Sequence, residues 1–363
     1  MNKINEGETI LDTDTAANEY FKSLEKFSIL CNRLIDSGFQ YLTVNLCHEL
    51  YRFLYPIEPY TSFDNNNPVK FISNHIEKLI KLGNTFSDVI QPYPLDLKSS
   101  KILNEGTEFL EKETSDLYSS LWKEFSDSTL SEESYKLLNL RLSDQIIKEN
   151  IMNKKILDIG CGSGRFSLAL ARLGAKQVTA VDVQKKSYEK AEKVALKLKL
   201  NIVFKEENVL KLSFADNMFD FVFCNGVLHH THSIQQGLTE LNRVLIPSGK
   251  AFFYIYAANG IFWETRKTLR KIFKKIPIRY TQSILSSMGM PPNRFIFCDT
   301  WYVPVETHTT IVHVEKMMDE AGFHYEKIIG KNKYDLDKAI NDNIKGANLM
   351  WGDGEHRYIL DKI

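Results

Sequence analysis

The run Lys155-Ile156-Leu157-Asp158-Ile159-Gly160-Cys161-Gly162-Ser163-Gly164 sets an apolar stretch directly ahead of three alternating glycines. Glycine at such positions lets backbone amides approach a ligand with no side chain intervening, and lets the chain turn in ways other residues resist. The chemistry this suits is the binding of a nucleotide-type cofactor at the start of the helix that follows. Spacing separates the candidates: a dinucleotide fingerprint G-x-G-x-x-G would need its third glycine at Arg165, whereas here it stands at Gly164. A second signal comes at Ala180-Val181-Asp182, where a carboxylate closing an apolar run can accept hydrogen bonds from two ribose hydroxyls. Alone, the first motif also fits any glycine-rich strand-to-helix turn; the two together reinforce one another.

Further along, His229, His230 and His232 follow Asn225-Gly226-Val227-Leu228. Imidazole titrates near neutral pH, so a histidine beside an electrophile could take the proton of an attacking group; it can equally serve to hold a loop. A basic amphipathic stretch then begins at Phe262-Trp263 and carries Arg266, Lys267, Arg270, Lys271, Lys274, Lys275 and Arg279 against the single acid Glu264. Its apolar stripe of Leu269, Ile272, Phe273 and Ile276 fits a helix packed on one side, with a face that is either solvated or turned to an anionic partner. Beyond it, Phe297-Cys298-Asp299-Thr300-Trp301-Tyr302-Val303-Pro304 and Thr307-His308-Thr309-Thr310 gather aromatic, acidic and hydroxyl groups ahead of another helix. Trp301 and Tyr302 also read as ordinary packing.

The elements that must hold these groups divide the chain in two. Ahead of Asn150 apolar residues recur at three and four, as in the stripe Phe21, Leu24, Phe27, Leu30 and Leu34, which predicts five to seven helices. Residues 1 to about 14 are polar and acidic and read as a frayed terminus, and loops are expected at Asn65-Asn66-Asn67-Pro68 and Gln91-Pro92-Tyr93-Pro94. After Asn153 short β-branched and aromatic runs alternate with amphipathic helices, the pattern of a parallel sheet built from βαβ units. Strands are expected at Ile156–Ile159, Gln177–Asp182, Ile202–Glu206, Phe219–Cys224, Lys250–Tyr256 and Phe323–Ile329. Helices at Arg165–Leu173, Gln184–Leu198, Ile234–Leu245 and Ile311–Ala321 would connect them. The long stretch from Asn259 to Thr310 then reads as an insert with a function of its own, such as a lid. Two domains are expected, 1–150 and 151–363, with the insert at 259–310.

Composition excludes several classes. Forty-six basic residues balance 46 acidic ones in 363, so no global field draws the chain onto nucleic acid or an anionic membrane. Cys31, Cys47, Cys161, Cys224 and Cys298 are scattered and never spaced as a C-x-x-C metal pair, so no metal site is expected and the thiols read as free in a reducing compartment. The first twenty residues contain no apolar core of a secretory signal, and no window nears the roughly 18 apolar residues of a membrane span. A cytoplasmic location is the expectation.

D-I-G-C-G-S-G followed by V-T-A-V-D resembles the first two motifs of the class I S-adenosylmethionine-dependent methyltransferases. The likeness runs from Asn153 to about Tyr256 through Glu207-Asn208-Val209, Phe214-Ala215-Asp216, Phe219-Asp220-Phe221-Val222, Asn225-Gly226-Val227-Leu228-His229-His230 and Leu245-Ile246-Pro247-Ser248-Gly249-Lys250. It implies an α/β fold: a Rossmann-like seven-stranded methyltransferase sheet with an N-terminal all-helical domain and a lid insert after the fifth strand. It implies S-adenosyl-L-methionine as cofactor, with Gly160, Gly162 and Gly164, beside Asp158 and Cys161, approaching the methionyl part and the adenosine. Asp182 with Val183 would take the ribose, Asn208 with Val209 would border the adenine, and Asn225, Gly226 and Val227 would lie beneath the sulfonium. The family often has aspartate where Asn208 stands; an amide can still donate and accept there.

Asp116-Leu117-Tyr118 with Trp122 and Phe125 resembles the aromatic segment that folds over the cofactor in many relatives, though aromatic residues at this spacing also read as core. The segment from Phe297 to Thr310 resembles the acceptor lid of a bacterial subgroup, which marks Asp299, Trp301, Tyr302 and His308 as acceptor-site residues. His230, His229, Tyr302 and His308 are thus the catalytic candidates. The resemblance implies an O-methyltransferase of bacterial biosynthesis acting on a hydroxyl or carboxylate of a small molecule or modified peptide. Two other readings stay open: an RNA-modifying transferase of the tRNA wobble uridine, kept alive by the basic insert, and a non-catalytic binding module of the same fold. Nucleic acid is the less favoured partner, and the sequence leaves the oligomeric state open.

Overall fold

The computed structural model describes residues 13–54, 68–92, 107–122, 125–290, 298–331, 335–344 and 346–363. The expected frayed terminus, Asn65 to Asn67, Tyr93-Pro94 and Phe297 lie outside the described residues. In chain order α1 (Thr13–Asp36), α2 (Gln40–Leu54), α3 (Pro68–Val89), α4 (Thr107–Trp122), α5 (Ser134–Arg141) and α6 (Asp144–Asn150) precede β1 (Lys155–Ile159). Then come α7 (Arg165–Arg172), β2 (Gln177–Asp182), α8 (Lys185–Lys197), β3 (Ile202–Glu206), β4 (Phe219–Asn225), α9 (Ile234–Val244) and β5 (Leu245–Tyr256). The chain continues through α10 (Gly260–Phe273), α11 (Ile278–Ser287), α12 (Asp299–Tyr302), α13 (Ile311–Glu320), β6 (Phe323–Lys327), α14 (Leu336–Asn341), α15 (Ala347–Trp351) and β7 (Glu355–Lys362). No described helix is long and apolar enough to cross a membrane.

Two compact units result. The first is assembled from residues 1–99, 260–285 and 343–352, the second from 100–259, 286–342 and 353–363. The insert helix α10 thus belongs with α1 to α3, and residues 100–150 belong with the sheet. In the first unit α1 buries Tyr20, Leu24, Phe27, Leu30, Cys31 and Leu34, a stripe at helical spacing. Phe21 is a correction to the expected stripe: it is 40% exposed, because one position along a helix turns the side chain about 100° and Tyr20 occupies the buried place instead. The Tyr20 hydroxyl bonds to Thr265 of α10. All four residues of the α10 stripe, Leu269, Ile272, Phe273 and Ile276, are buried, and so is Arg266, its guanidinium 5.3 Å from the Trp263 ring.

The second unit holds a seven-stranded sheet in the order β3-β2-β1-β4-β5-β7-β6. β3, β2, β1, β4 and β5 run parallel, and β7 is antiparallel to both β5 and β6. The parallel strands read as unbroken apolar runs because both faces are covered: Leu157, Val222 and Phe253 pack on one side, Ile156, Phe221, Phe223 and Phe252 on the other. Two strand expectations need correction. β5 begins at Leu245 rather than Lys250, since Pro247-Ser248-Gly249 reads as a turn but lies within an extended segment, next to an irregularity in the β4 pairing. β7 was not among the strand candidates, because buried His356 and Arg357 interrupt its apolar pattern; Asp335 and Asp337 supply the carboxylates that permit the arginine there.

Strand order reverses between β1 and β4. In such sheets the crevice at the carboxyl ends of the strands on either side of the reversal is where ligands bind. The chain brings to that crevice the glycine turn after β1, Asp182 from β2 and Asn225 from β4.

Candidate cofactor and acceptor site

The turn after β1 needs its glycines for two separate reasons. Gly160, Gly162 and Gly164 have φ of 59°, 53° and 71°, the left-handed region that side chains resist. Space is also absent: a Cβ built on Gly162 would fall 2.2 Å from the Trp122 ring, and one on Gly164 would fall 2.4 Å from the Cβ of Ala191. Val227 is packed as closely on Gly160, 2.5 Å from its built Cβ. The turn is pinned by Cys161 N–H donating to the Val181 carbonyl at 2.8 Å. Beneath it Asp158 is buried and accepts from the Ser167 hydroxyl, and burial pushes its carboxyl up to about 7. Cys161 is buried as well, which raises its thiol and leaves it unreactive.

Asp182 faces this turn. Its two oxygens accept from Gly162 N–H at 2.9 Å and Gln184 N–H at 3.1 Å, which aims the carboxylate while leaving lone pairs for further donors. Burial pushes its carboxyl up to about 6, against the lowering effect of those amide bonds, and Glu206 adds to the rise. Val183 beside it is exposed. Asn208 spends its side-chain carbonyl on Leu210 N–H at 2.8 Å, so its amide nitrogen is what it offers an adenine; Val209 is buried behind it. These residues fit an adenosyl ligand: a glycine cradle, a carboxylate oriented for hydroxyl donors and an amide at the far side.

Over the cradle lies α4. Ser119 donates to Gln184 at 3.2 Å and shares a 2.6 Å bond with Ser187, while Gln184 reaches Asp116 at 2.8 Å; these bonds tie α4 to the start of α8. Trp122 thereby rests on Gly162 and Tyr118 stacks on Trp122, ring centroids 5.0 Å apart. The Tyr118 hydroxyl stands 2.9 Å from His230 Nε2 and 3.2 Å from Asp299 Oδ2. His230 Nδ1 faces the Val305 carbonyl at 2.7 Å and must donate to it. Burial holds the Tyr118 phenol well above its ordinary range, Asp299 adding to the effect, so tyrosine stays neutral between the two partners.

His229 is buried, its ring centroid 3.9 Å from Tyr256 and 4.0 Å from His230; His232 is exposed. His308 places Nδ1 at 2.6 Å from the Ala257 carbonyl and Nε2 at 2.7 Å from Glu306 Oε1, so both ring nitrogens are engaged. Its ring stacks on Tyr256. Trp301 is buried in α12, and Tyr302 ends that helix half-buried. The structure therefore brings Tyr118, His230 and Asp299 together, with His229 and His308 joined to them through Tyr256.

Several participants escaped the sequence reading. Arg141, at the end of α5, donates to the Asn225 side chain at 2.7 Å, and lies 5.9 Å from the Tyr254 ring. Tyr254 in turn donates to Glu355 at 3.0 Å. Arg165 sits against Phe166 and Phe125. No spacing marks these residues, because they come from separate helices and strands. Among the described residues no group of acidic, histidine or cysteine side chains could hold a metal.

Residues 157–253 match a family described as a methyltransferase domain. The chain is 26% identical over 206 residues to a ubiquinone biosynthesis O-methyltransferase of Coxiella burnetii, covering 53% of this chain and 76% of that protein. It is 35% identical over 120 residues to a malonyl-[acyl-carrier protein] O-methyltransferase of Legionella pneumophila, 32% of this chain and 42% of the other. A tRNA U34 carboxymethyltransferase of Nautilia profundicola shares 25% identity over 201 residues, 55% and 58% of the two chains.

A sheet of this order with a glycine turn at the β1–β4 reversal and a carboxylate closing β2 is the architecture of a nucleoside-cofactor protein. Residues 157–253 form a methyltransferase domain; the protein is an S-adenosylmethionine-dependent methyltransferase, and S-adenosyl-L-methionine is its cofactor.

Proposed function

We propose that the protein is an O-methyltransferase acting on a hydroxyl or carboxylate oxygen of a small molecule or modified natural-product peptide, within the reducing cytoplasm. The hydrogen-bonded chain His230–Tyr118–Asp299 supports this most strongly. When bound, the cofactor supplies an electrophilic methyl carbon. Gly160, Gly162, Gly164, Asp158, Cys161, Asp182, Val183, Asn208, Val209, Asn225, Gly226 and Val227 would hold it, with Tyr118 and Trp122 as the cover that excludes water. An oxygen acceptor that is a hydroxyl releases one proton as its bond to carbon forms. Asp299 can take that proton and hand it to the Tyr118 oxygen as Tyr118 passes its own to His230 Nε2, so the added proton ends on His230 and Tyr118 stays neutral. Tyr302 and His308 would border the acceptor, His308 through its bonds to Ala257 and Glu306. The five cysteines, all buried free thiols, support the reducing location.

The test is mass spectrometry of candidate acceptors after incubation with enzyme and S-adenosylmethionine, seeking a gain of one methylene, followed by kinetics of Tyr118→Phe. With a hydroxyl acceptor kcat should fall about 100-fold; with a carboxylate acceptor, which has no proton to lose, kcat should change little. Methylation of carbon or nitrogen alone would overturn the reading. A second reading, a tRNA-modifying transferase, is supported by the similarity to the Nautilia protein and by Lys267, Arg270, Lys271, Lys274 and Lys275 along α10 and just after it. The balanced net charge weighs against it. A salt-dependent mobility shift with bulk tRNA would favour it, and we expect none.

A further inference from the structure

The described arginines of the sheet unit fall into two groups. Arg172 pairs with Glu132 at 2.9 Å, Arg243 with Glu240 at 2.7 Å, and Arg357 with Asp335 and Asp337. Arg141 and Arg165 make no ion pair among the described residues, and Arg165 makes no hydrogen bond there either. Both lie against the same ring: Arg141 is 5.5 Å from the Phe166 centroid and Arg165 is 4.6 Å from it. The Phe125 ring is also near Arg165, at 5.9 Å. Two guanidinium groups thus share one aromatic ring, and burial together with the neighbouring Arg141 disfavours the charge on Arg165, an arrangement that costs free energy until an anion arrives.

Their position says which anions. Arg165 is the first residue of α7, directly after the cradle glycine Gly164, and Asp299 and Tyr118 of the candidate acceptor site act on it electrostatically. Asp299 cannot serve as its partner without giving up bonds, since its oxygens already accept from Tyr118 and from Thr300 N–H. The cofactor brings a single carboxylate, while its sulfonium and ammonium bring two further positive charges. One guanidinium can meet that carboxylate; the other is left over.

We infer that Arg165 receives an anionic group of the acceptor, so that the methyl-accepting substrate is a carboxylate-bearing compound. This rests on the methyl-transfer reading above and goes further in naming the substrate class. A planar guanidinium already packed against aromatic rings offers its donors in the fixed fork that a carboxylate accepts bidentately, and loses little freedom on pairing. The rings of Phe125 and Phe166 beside Arg165 favour a substrate with an apolar body next to its acid.

The experiment uses the full chain saturated with S-adenosylhomocysteine, titrated calorimetrically with three acids, 4-hydroxybenzoate, 3-phenylpropanoate and hexanoate, and with their primary amides. At least one acid should bind tighter than its amide by about tenfold or more, as charge-assisted pairing implies. Arg165→Met should abolish that preference and Arg165→Lys should restore part of it, each with S-adenosylhomocysteine affinity changed less than about threefold. Equal binding of acids and amides, or binding of neither, overturns the inference; so does an Arg165→Met variant that keeps the preference. If Arg165→Met instead weakens S-adenosylhomocysteine tenfold and leaves 5′-methylthioadenosine unaffected, the arginine serves the cofactor's own carboxylate and the inference also fails. Should Arg165→Met not fold, the wild-type acid-to-amide ratio and Arg165→Lys decide alone. A protein that binds no S-adenosylhomocysteine at all would sink the methyl-transfer reading itself, which is a distinguishable outcome.

Discussion

Cofactor affinity should rise with pH through the titration of Asp182. Its carboxyl is pushed from 3.8 up to about 6, with burial as the chief cause. The ribose hydroxyls are donors, so only the ionised form can accept both of them while keeping the amide bonds from Gly162 and Gln184. At pH 7 the group is largely ionised; at pH 5 about one molecule in eleven is. If the protonated form binds negligibly, Kd for S-adenosylhomocysteine is about tenfold weaker at pH 5 than at pH 7, or about 1.4 kcal/mol. For the free protein the sign is reversed: a carboxyl raised above its unfolded value costs the fold stability as pH climbs from about 4 to about 6, and cofactor binding offsets that cost. The assay is calorimetric titration from pH 5 to 8 on wild type and on Asp182→Asn. The variant should bind at least about tenfold more weakly at pH 7, having lost a charge-assisted bond, and its profile should be flat. A wild-type Kd constant across the range, or an equally steep slope in Asp182→Asn, would refute the assignment.

Gly162→Ala should leave circular dichroism unchanged but weaken S-adenosylhomocysteine by about tenfold or more, since the new methyl would lie 2.2 Å from the Trp122 ring in backbone that disfavours side chains; unaltered affinity in the same titration would mean that Trp122 yields freely. Arg357→Met removes the cation from buried Asp335 and Asp337 and should lower stability by about 3 to 5 kcal/mol, measured by urea unfolding; a loss under about 1 kcal/mol would show that Lys327, 2.9 Å from Asp337, suffices. His230→Asn should reduce turnover of a hydroxyl acceptor about 100-fold with cofactor affinity unchanged, and a simultaneous loss of cofactor binding would assign His230 to positioning instead.

The sequence by itself determined most of the sheet and the glycine turn that Asp182 faces. Both are local in nature: alternating strand and helix patterns record burial on two faces, and the turn Asp158 to Gly164 followed by Asp182 records a ligand pressed against backbone. Phe21 and β7 show the limits of pattern. An apolar residue one position off the buried stripe looks the same in a list of hydrophobics, and a strand whose arginine is neutralised by a distant helix loses its apolar signature. The acceptor half was only partly legible. Tyr118, His230 and Asp299 were each named for separate reasons, but that one hydroxyl lies between the other two depends on how α4, the turn after β4 and α12 come together. The roles of Arg141 and Arg165 went unread because the absence of an ionic partner is a property of surroundings, which residue type and spacing do not encode. The discontinuous first unit is likewise a tertiary fact: α10 belongs with α1 because their apolar stripes face each other, whatever the separation along the chain.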